Sequence, residues 1–195
     1  IGHELRTPIA KGKFAIEKID DFSQKELLKK IFKDLEVLTN ELIELEKLNS
    51  TKLNITTFKA ETLIVESLEK LYLDDESKIE INIQEDFKIN GDLYYLSIVL
   101  KNLIDNALKY ANDKKISVEF KDNKFLFINK GEALPVDLSS ELKNWKIDKN
   151  KRHKSSTGYG FGLFIIKNIV NLNGYNLEYE YKNENVILGI KKCIM

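Results

Sequence analysis

The chain has 195 residues, with 31 Lys and Arg side chains against 31 Asp and Glu, so its formal net charge is zero. This balance excludes the broad positive field on which non-specific nucleic-acid binding depends, and we expect no nucleic-acid partner. The hydrophobic content of 43% with 32% charged residues is typical of a folded globular protein. The single cysteine, Cys193, excludes an internal disulfide framework and favours a reducing compartment.

The length suits one large domain or two small ones. No apolar run approaches the roughly 18 residues of a membrane span, and no signal peptide opens the chain. The only methionine is Met195, so residue 1 is not an initiator. We therefore expect a piece of a longer protein in which any membrane span lies upstream.

The first 50 residues predict two helices joined by a short turn. Apolar residues recur at spacings of three and four, first at Leu5, Ile9, Gly12, Ile16 and Ile19, then at Leu28, Ile31, Leu35, Leu38, Leu42 and Leu45. Asp20, Asp21 and Ser23 are expected to form the turn. Because two helices with one apolar seam each bury little, the pattern favours a dimer that forms a four-helix bundle.

Beyond a polar connector at residues 49–57, the pattern changes to mixed helices and strands. Helices are predicted at 58–73, 92–111 and 161–172, and strands at 78–83, 116–120, 125–128, 175–181 and 186–191. Turns are predicted at Asn90–Gly91 and Asp122–Asn123. Residues 132–157 are polar and lysine-rich without periodicity, which indicates a functional loop or lid. We expect a helical domain at residues 1–50 and an α/β domain at 58–195.

A histidine near the start of the chain has neighbours that could take part in a reaction at its imidazole ring. His3 lies on the side of its helix opposite the apolar seam. Glu4 can accept a proton from the imidazole or hold its tautomer, which raises the nucleophilicity of the other nitrogen. Thr7, one turn later, can orient a water, and Pro8 loosens the helix because it cannot donate to the carbonyl of Glu4. An ordinary surface histidine is the alternative.

The predicted helix 92–111 carries an unusual polar face. Asn102, Asn106 and Lys109 share it, whereas the opposite face is apolar and consists of Leu96, Leu100, Leu103, Ala107 and Ala111. Asparagine is a poor choice for a merely solvated face, because it is a weak helix former. Its amide carbonyl suits Mg²⁺ that carries waters and phosphates, and Lys109 can neutralise a polyphosphate. A solvated face is the alternative.

Three of the nine glycines, Gly158, Gly160 and Gly162, stand where the helix 161–172 begins. Glycine lets backbone N–H groups approach phosphates at a helix N-terminus. Of the basic residues in the preceding loop, Arg152 and Lys154 are expected to reach phosphates. A flexible hinge and a solvated basic loop are the alternatives.

Three strings resemble motifs of sensor histidine kinases and follow that family's order. His3-Glu4-Leu5-Arg6-Thr7-Pro8 resembles the H box of the dimerisation domain, residues 102–111 resemble the N box of the ATPase domain, and residues 158–163 resemble the G2 box that closes the ATP lid. The resemblance spans nearly the whole chain. It implies an α plus α/β fold: a dimerising helical hairpin, a four-helix bundle in the dimer, followed by a Bergerat-type α/β sandwich that binds ATP.

The resemblance also implies roles for individual residues. His3 is the phosphorylated residue, Glu4 its general base, and Thr7 helps position water for dephosphorylating the partner protein. Asn106 is the Mg²⁺ ligand with Asn102 in support. The further nucleotide contacts implied are Lys109, Tyr110, Arg152, Lys154, Gly158, Gly160, Gly162 and Leu163, while Trp145 anchors the lid in the place of the family's aromatic F box.

One motif departs from the family. Where the family has Asp-x-Gly-x-Gly, with the aspartate accepting from the adenine amino group, this chain has Asn129-Lys130-Gly131-Glu132-Ala133. Asn129 can accept through its carbonyl without carboxylate charge, but its NH₂ group could face the base instead. Asn129 and Gly131 are expected to contact the nucleotide. The departure motivates an alternative function, a nucleotide-poor dimeric scaffold or a phosphatase-dominant variant.

The function implied is that of an ATP-dependent protein-histidine kinase that autophosphorylates His3. The phosphoryl group passes to an aspartate in the receiver domain of a response regulator, which docks on the hairpin and on which the kinase also acts as a phosphatase. ATP and Mg²⁺ are the implied cofactors, a homodimer is the implied assembly, and the location is the cytoplasmic part of an inner-membrane sensor. An ATPase of the same fold that phosphorylates serine or drives a clamp is disfavoured, because it leaves His3 and Glu4 unexplained.

Overall fold

The computed structural model describes residues 2–50, 52–71, 76–83, 87–121, 123–134 and 161–193. The described residues fall into two compact units, residues 2–50 with 161–165, and residues 52–134 with 166–193. No helix in these ranges combines the length and apolarity needed to cross a bilayer. The predicted domain limits, 1–50 and 58–195, stay predictions.

Two antiparallel helices form most of the first unit. They are α1 (Gly2–Ile16) and α2 (Phe22–Ser50). Asp21 caps α2, since its Oδ1 accepts a hydrogen bond of 3.0 Å from the backbone N–H of Gln24. Ser23 was predicted in the turn, but it lies within α2 because the cap stands two residues before it.

Close contacts join the two helices. The guanidinium of Arg6 on α1 donates to Asn40 Oδ1 on α2 at 3.1 Å. Nearer the turn, the ring of Phe32 lies directly on Gly12, where a Cβ atom would overlap the ring. Gly12 is therefore the point at which α1 makes room for an aromatic ring of α2.

The two predicted apolar seams differ in burial. Ile16 on α1 is buried, as its seam predicts. On α2, however, Ile31 and Leu35 remain 43% and 41% exposed, whereas Phe32 lies on α1 and Thr39 is buried. This part of the predicted α2 seam does not pack on α1. Periodicity identifies an apolar face but not the element on which that face packs.

The second unit contains a mixed five-stranded sheet, a two-stranded ribbon and helices. Its strands are β2 (Ile79–Ile83), β4 (Ile116–Lys121), β5 (Lys124–Lys130), β6 (Tyr175–Lys182) and β7 (Asn185–Lys192), in the order β2-β4-β5-β7-β6. β2 and β4 are parallel, and the remaining neighbours are antiparallel. β1 (Thr56–Lys59) and β3 (Lys88–Gly91) form a separate antiparallel ribbon. The helices of this unit are α3 (Ala60–Glu69) and α4 (Leu93–Tyr110), together with the part of α5 (Phe161–Leu172) that begins at residue 166.

The core lies between these helices and the sheet. All five residues of the apolar face predicted for helix 92–111 are buried. Four of them lie in α4, namely Leu96, Leu100, Leu103 and Ala107, and Ala111 follows it directly. On the sheet, Val118 of β4 and Phe127 of β5 are each 2% exposed. Burying one such side chain stabilises the folded state by about 1.5–3 kcal/mol. The burial of these residues agrees with the alternating apolar pattern that predicts the strands.

Two predictions about the start of this unit are wrong. The helix predicted from residue 58 begins at Ala60, because Phe58 and Lys59 belong to β1. Asn90 and Gly91 were predicted as a turn but lie in β3, where they pair with β1. That ribbon joins segments about 30 residues apart, and local sequence contains no signal of such pairing. The strands of the larger sheet and the helices α4 and α5 are confirmed.

Candidate functional site

Helix α4 presents its asparagine face in the way that its amphipathic pattern predicts. Asn102 and Asn106 are four residues apart, which places them about 40° apart around the helix axis. Both side chains are half-buried, and neither has a hydrogen-bond partner within the described part of the chain. Half-buried polar groups normally find a partner. No described residue therefore competes with a ligand for these two amides.

The end of α4 carries the predicted lysine and tyrosine. Lys109 is exposed, and its Nζ lies 5.1 Å from the ring centroid of Tyr110, a cation–π arrangement. The backbone carbonyl of Lys109 accepts a hydrogen bond of 2.6 Å from Lys114 Nζ. The two ammonium groups stand at the negative end of the helix dipole, which favours cations there.

The motif that differs from the family pattern, at residues 129–133, begins at this end of α4. The backbone N–H of Asn112, just after the helix, donates to the carbonyl of Lys130 at 2.9 Å. Gly131 is buried, and a Cβ built on it would lie 3.4 Å from the carbonyl oxygen of Tyr110. The two motifs predicted to contact nucleotide from separate parts of the sequence, 102–111 and 129–131, are thus adjacent.

Asn129 is half-buried at the end of β5. Its Nδ2 donates a long hydrogen bond of 3.4 Å to the carbonyl of Lys130. With the NH₂ group directed to the backbone, the Oδ1 atom remains an acceptor. The arrangement suits a donor such as an adenine amino group, without the charge of a carboxylate.

Residues that the sequence did not single out hold this segment in place. The N–H of Gly131 donates to the carbonyl of Glu184 at 3.0 Å, and its carbonyl accepts from the hydroxyl of Tyr181 at 3.3 Å. Tyr179 accepts the N–H of Leu134 at 2.9 Å, and burial raises the pKa of this phenol. Tyrosines two residues apart point to one face of a strand, and that spacing was the available signal.

Several predicted site residues cannot be placed beside these. Arg152, Lys154, Gly158, Gly160 and Trp145 lie outside the described residues. His3 and Glu4 belong to α1 by their backbone, but their side chains also lie outside the described part. Thr7 is exposed on α1, and Gly162 and Leu163 lie half-buried in the first turn of α5.

The donor set fits a magnesium ion that keeps much of its water. In the described ranges, no group of three or more His, Cys, Asp or Glu side chains could hold a metal ion. The candidate ligand oxygens are instead the amide carbonyls of Asn102 and Asn106, to which no other described residue is hydrogen-bonded. Mg²⁺ is commonly held by one or two protein oxygens together with waters and substrate phosphates, which agrees with this arrangement.

Residues 91–190 match the family model described as histidine kinase-, DNA gyrase B-, and HSP90-like ATPase. The matched range contains α4 and the strands that carry the site, and the chain belongs to this family of ATPases. Proteins named as sensor kinases are among its relatives. The chain is 32% identical over its whole length to the sensor histidine kinase ArsS of Helicobacter pylori, of which it covers 46%. It is 30% identical over 89% of its length to the adaptive-response sensory kinase SasA of Prochlorococcus marinus, of which it covers 51%.

The chain thus spans about half the length of the curated relatives it matches. Among solved structures, the histidine kinase AdeS of Acinetobacter baumannii superposes with a TM-score of 0.62 over 98% of this chain and 97% of that one, at 21% identity. The likeness shows a shared fold. The predicted resemblance to sensor histidine kinases and the predicted α/β ATP-binding domain are confirmed.

Proposed function

We propose that this chain is the catalytic portion of a two-component sensor histidine kinase. Residues 58–195 bind Mg-ATP, and residues 1–50 form the helical hairpin that receives the phosphoryl group on His3. An aspartate in the receiver domain of a response regulator then takes the group from His3. Relatives named as sensor kinases support this proposal.

The observation that carries it is a pair of half-buried amides on α4 that bind no other described residue, together with the close approach of Gly131 to Tyr110. Asn102 and Asn106 offer oxygens suited to Mg²⁺, and Lys109 supplies a nearby positive charge. Asn129 offers an acceptor beside Gly131, near the end of α4. A nucleotide triphosphate has the matching groups: phosphates with a divalent cation, and a base with an amino donor.

The chemistry follows from these assignments. An imidazole nitrogen of His3 attacks the γ-phosphorus of ATP, and the bond from that phosphorus to the β–γ bridging oxygen breaks as the N–P bond forms. ADP leaves with the electron pair of the broken bond, and Glu4 accepts the proton that the imidazole loses. Bound Mg²⁺ supplies charge neutralisation at the phosphates. The rate depends mainly on positioning and charge neutralisation, as in other phosphoryl transfers.

The second transfer runs to the response regulator. A carboxylate oxygen of its aspartate attacks the same phosphorus, the N–P bond breaks, and the imidazole regains a proton. In the phosphatase reaction, a water oriented by the exposed Thr7 attacks the phosphorus of the aspartyl phosphate. The bond from phosphorus to the carboxylate oxygen breaks, which frees the aspartate and releases inorganic phosphate.

The exposed face of α2 supports a homodimer through the hairpin. Leu27, Ile31 and Leu35 recur every four residues and are 60%, 43% and 41% exposed. Covering such side chains contributes up to about 1.5–3 kcal/mol each, and a second copy of the hairpin presents the same apolar face. In the proposed homodimer, the two hairpins form a four-helix bundle.

The test is incubation of the whole chain with γ-labelled ATP and Mg²⁺. We expect label that is stable in base and labile in acid, as a phosphohistidine is, and its loss in His3→Gln. The matched control is His153→Gln, which changes the only other histidine and should keep the label. Label that survives His3→Gln refutes the assignment.

A second candidate function is suggested by residues 129–133, where the motif differs from the family pattern. Asn129 lacks the carboxylate charge, and Ala133 lacks the conformational freedom of glycine, which favours a scaffold or a phosphatase-dominant variant. Calorimetry with Mg-ATP separates the two functions. Absence of binding at millimolar nucleotide supports the scaffold, whereas binding together with His3 labelling supports the kinase.

A further inference from the structure

A buried carboxylate lies at the start of α4, far along the helix from the asparagine face. Asp92 is 6% exposed. Its Oδ1 accepts the backbone N–H of Tyr95 at 3.2 Å, which caps the helix. Its Oδ2 accepts the backbone N–H of Asn54 at 2.8 Å. One side chain thus joins the nucleotide helix to the connector that leads away from α2.

A buried asparagine ties a third segment to the same point. Asn173, which follows α5, is 7% exposed, and its Oδ1 accepts the backbone N–H of Asp92 at 2.7 Å. Its Nδ2 donates to the carbonyl of Ile169 at 2.8 Å and so closes the end of α5. The connector, the start of α4 and the end of α5 are therefore held by one hydrogen-bonded cluster, which we call the Asp92 cluster.

The cluster is remote from the proposed chemistry. Along α4, Asp92 and Asn106 are 14 residues apart, or about 21 Å. Along α5, Asn173 lies 11 residues, or about 16 Å, from Gly162. The cluster cannot touch a nucleotide held at those residues, and any effect it has on catalysis must pass through the two helices or the connector.

Helix capping alone does not explain why residue 92 is an aspartate. Serine caps a helix about as well as aspartate does, without placing a charge in the core. The second carboxylate oxygen serves another purpose, because it is satisfied by the connector rather than by α4. A buried carboxylate needs such partners, so removing the connector from it would leave a buried acceptor unpaired.

We propose that Asp92 and Asn173 are positioning residues that hold the connector against the two helices carrying the nucleotide site. The proposal rests on the proposed function. Because the connector is the segment through which the hairpin joins this unit, its attachment governs how readily a bound nucleotide reaches His3. Small errors in such positioning cost phosphoryl transfer far more than they cost binding.

Asp92→Ser in the whole chain tests this. Serine keeps the cap on Tyr95 but is too short to hold the connector as well. We expect the dissociation constant of Mg-ATP to change by less than about threefold, while the rate of His3 labelling at saturating ATP falls at least about tenfold. Asn173→Ala should produce the same split. The matched control is Asp113→Ala, which removes the hydrogen bond of the Asp113 side chain to the backbone N–H of Lys115 beyond the other end of α4 and should change neither quantity.

Equal labelling rates at saturating ATP in wild type and a folded Asp92→Ser overturn the proposal, and so does a fall in binding that matches the fall in rate. Hydrogen exchange of the Asn54 amide in the wild type gives a test that does not depend on a variant folding. Exchange as fast as in an unfolded chain contradicts the attachment. A wild type that neither binds Mg-ATP nor labels His3 refutes the proposed function instead, and leaves the exchange result standing.

Discussion

Gly131→Ala is the sharpest test of where the nucleotide base lies. Gly131 is buried between the end of β5 and the end of α4, and its φ angle is not in the left-handed region. An alanine therefore fits the backbone, and the effect depends on space. The new Cβ would stand 3.3 Å from Asn129 Nδ2 and 3.4 Å from the carbonyl oxygen of Tyr110.

These two contacts differ in how easily they relax. The carbonyl of Tyr110 belongs to the last turn of α4 and is fixed, whereas the Asn129 amide ends a side chain that can rotate away. We expect the amide to move. Overpacking costs about 1–3 kcal/mol, and the lower entropy of the unfolded alanine chain offsets about 0.4–1 kcal/mol of that. The free energy of unfolding should fall by about 1 kcal/mol.

The effect on nucleotide binding is separate. Displacing Asn129 removes one hydrogen bond to the base, which is worth about 0.5–1.5 kcal/mol, so the affinity for Mg-ATP should fall about two- to twelvefold. Calorimetry measures the affinity, and urea unfolding measures the stability. Gly189→Ala is the matched control, because its Cβ would make only ordinary contacts of 3.5 Å with Leu126 and 3.6 Å with Glu178. Wild-type affinity in Gly131→Ala would refute the placement of the base at Asn129.

Two further predictions concern stability. Gly12→Ala should destabilise the packing of α1 on α2 by about 1–3 kcal/mol, because the methyl group overlaps the Phe32 ring; Phe32→Leu in the same chain should recover part of the loss in thermal unfolding. Burial raises the pKa of Tyr175, whose hydroxyl donates to the carbonyl of Asn90 at 3.2 Å. The folded state favours the neutral phenol. The resulting contribution to the free energy of unfolding is therefore complete below about pH 10 and is lost as the pH rises above it. Urea unfolding between pH 9 and 11 should show a decline that is shallower in Tyr175→Phe, and an unchanged slope would contradict this account.

Local sequence contained much of the candidate site. The apolar face of α4 required Asn102 and Asn106 to share the opposite side, and the structure confirms the burial of every predicted apolar position. The assignment of ligands to these amides stays a prediction. Neither Tyr181 nor Asn173 could be identified in this way, because each acts on a partner distant in the chain, at Gly131 and Asp92.

Side-chain periodicity by itself determined the kind of each long element: α1, α2, α4 and α5, and the closing strands β6 and β7. Their patterns arise from local geometry, which repeats within a few residues. Tertiary structure alone decided which faces meet. It turned Ile31 and Leu35 of α2 outward, paired β1 with β3, and brought Gly131 to the end of α4. These outcomes depend on packing between distant segments, where many pairings satisfy the same pattern and the whole core selects one.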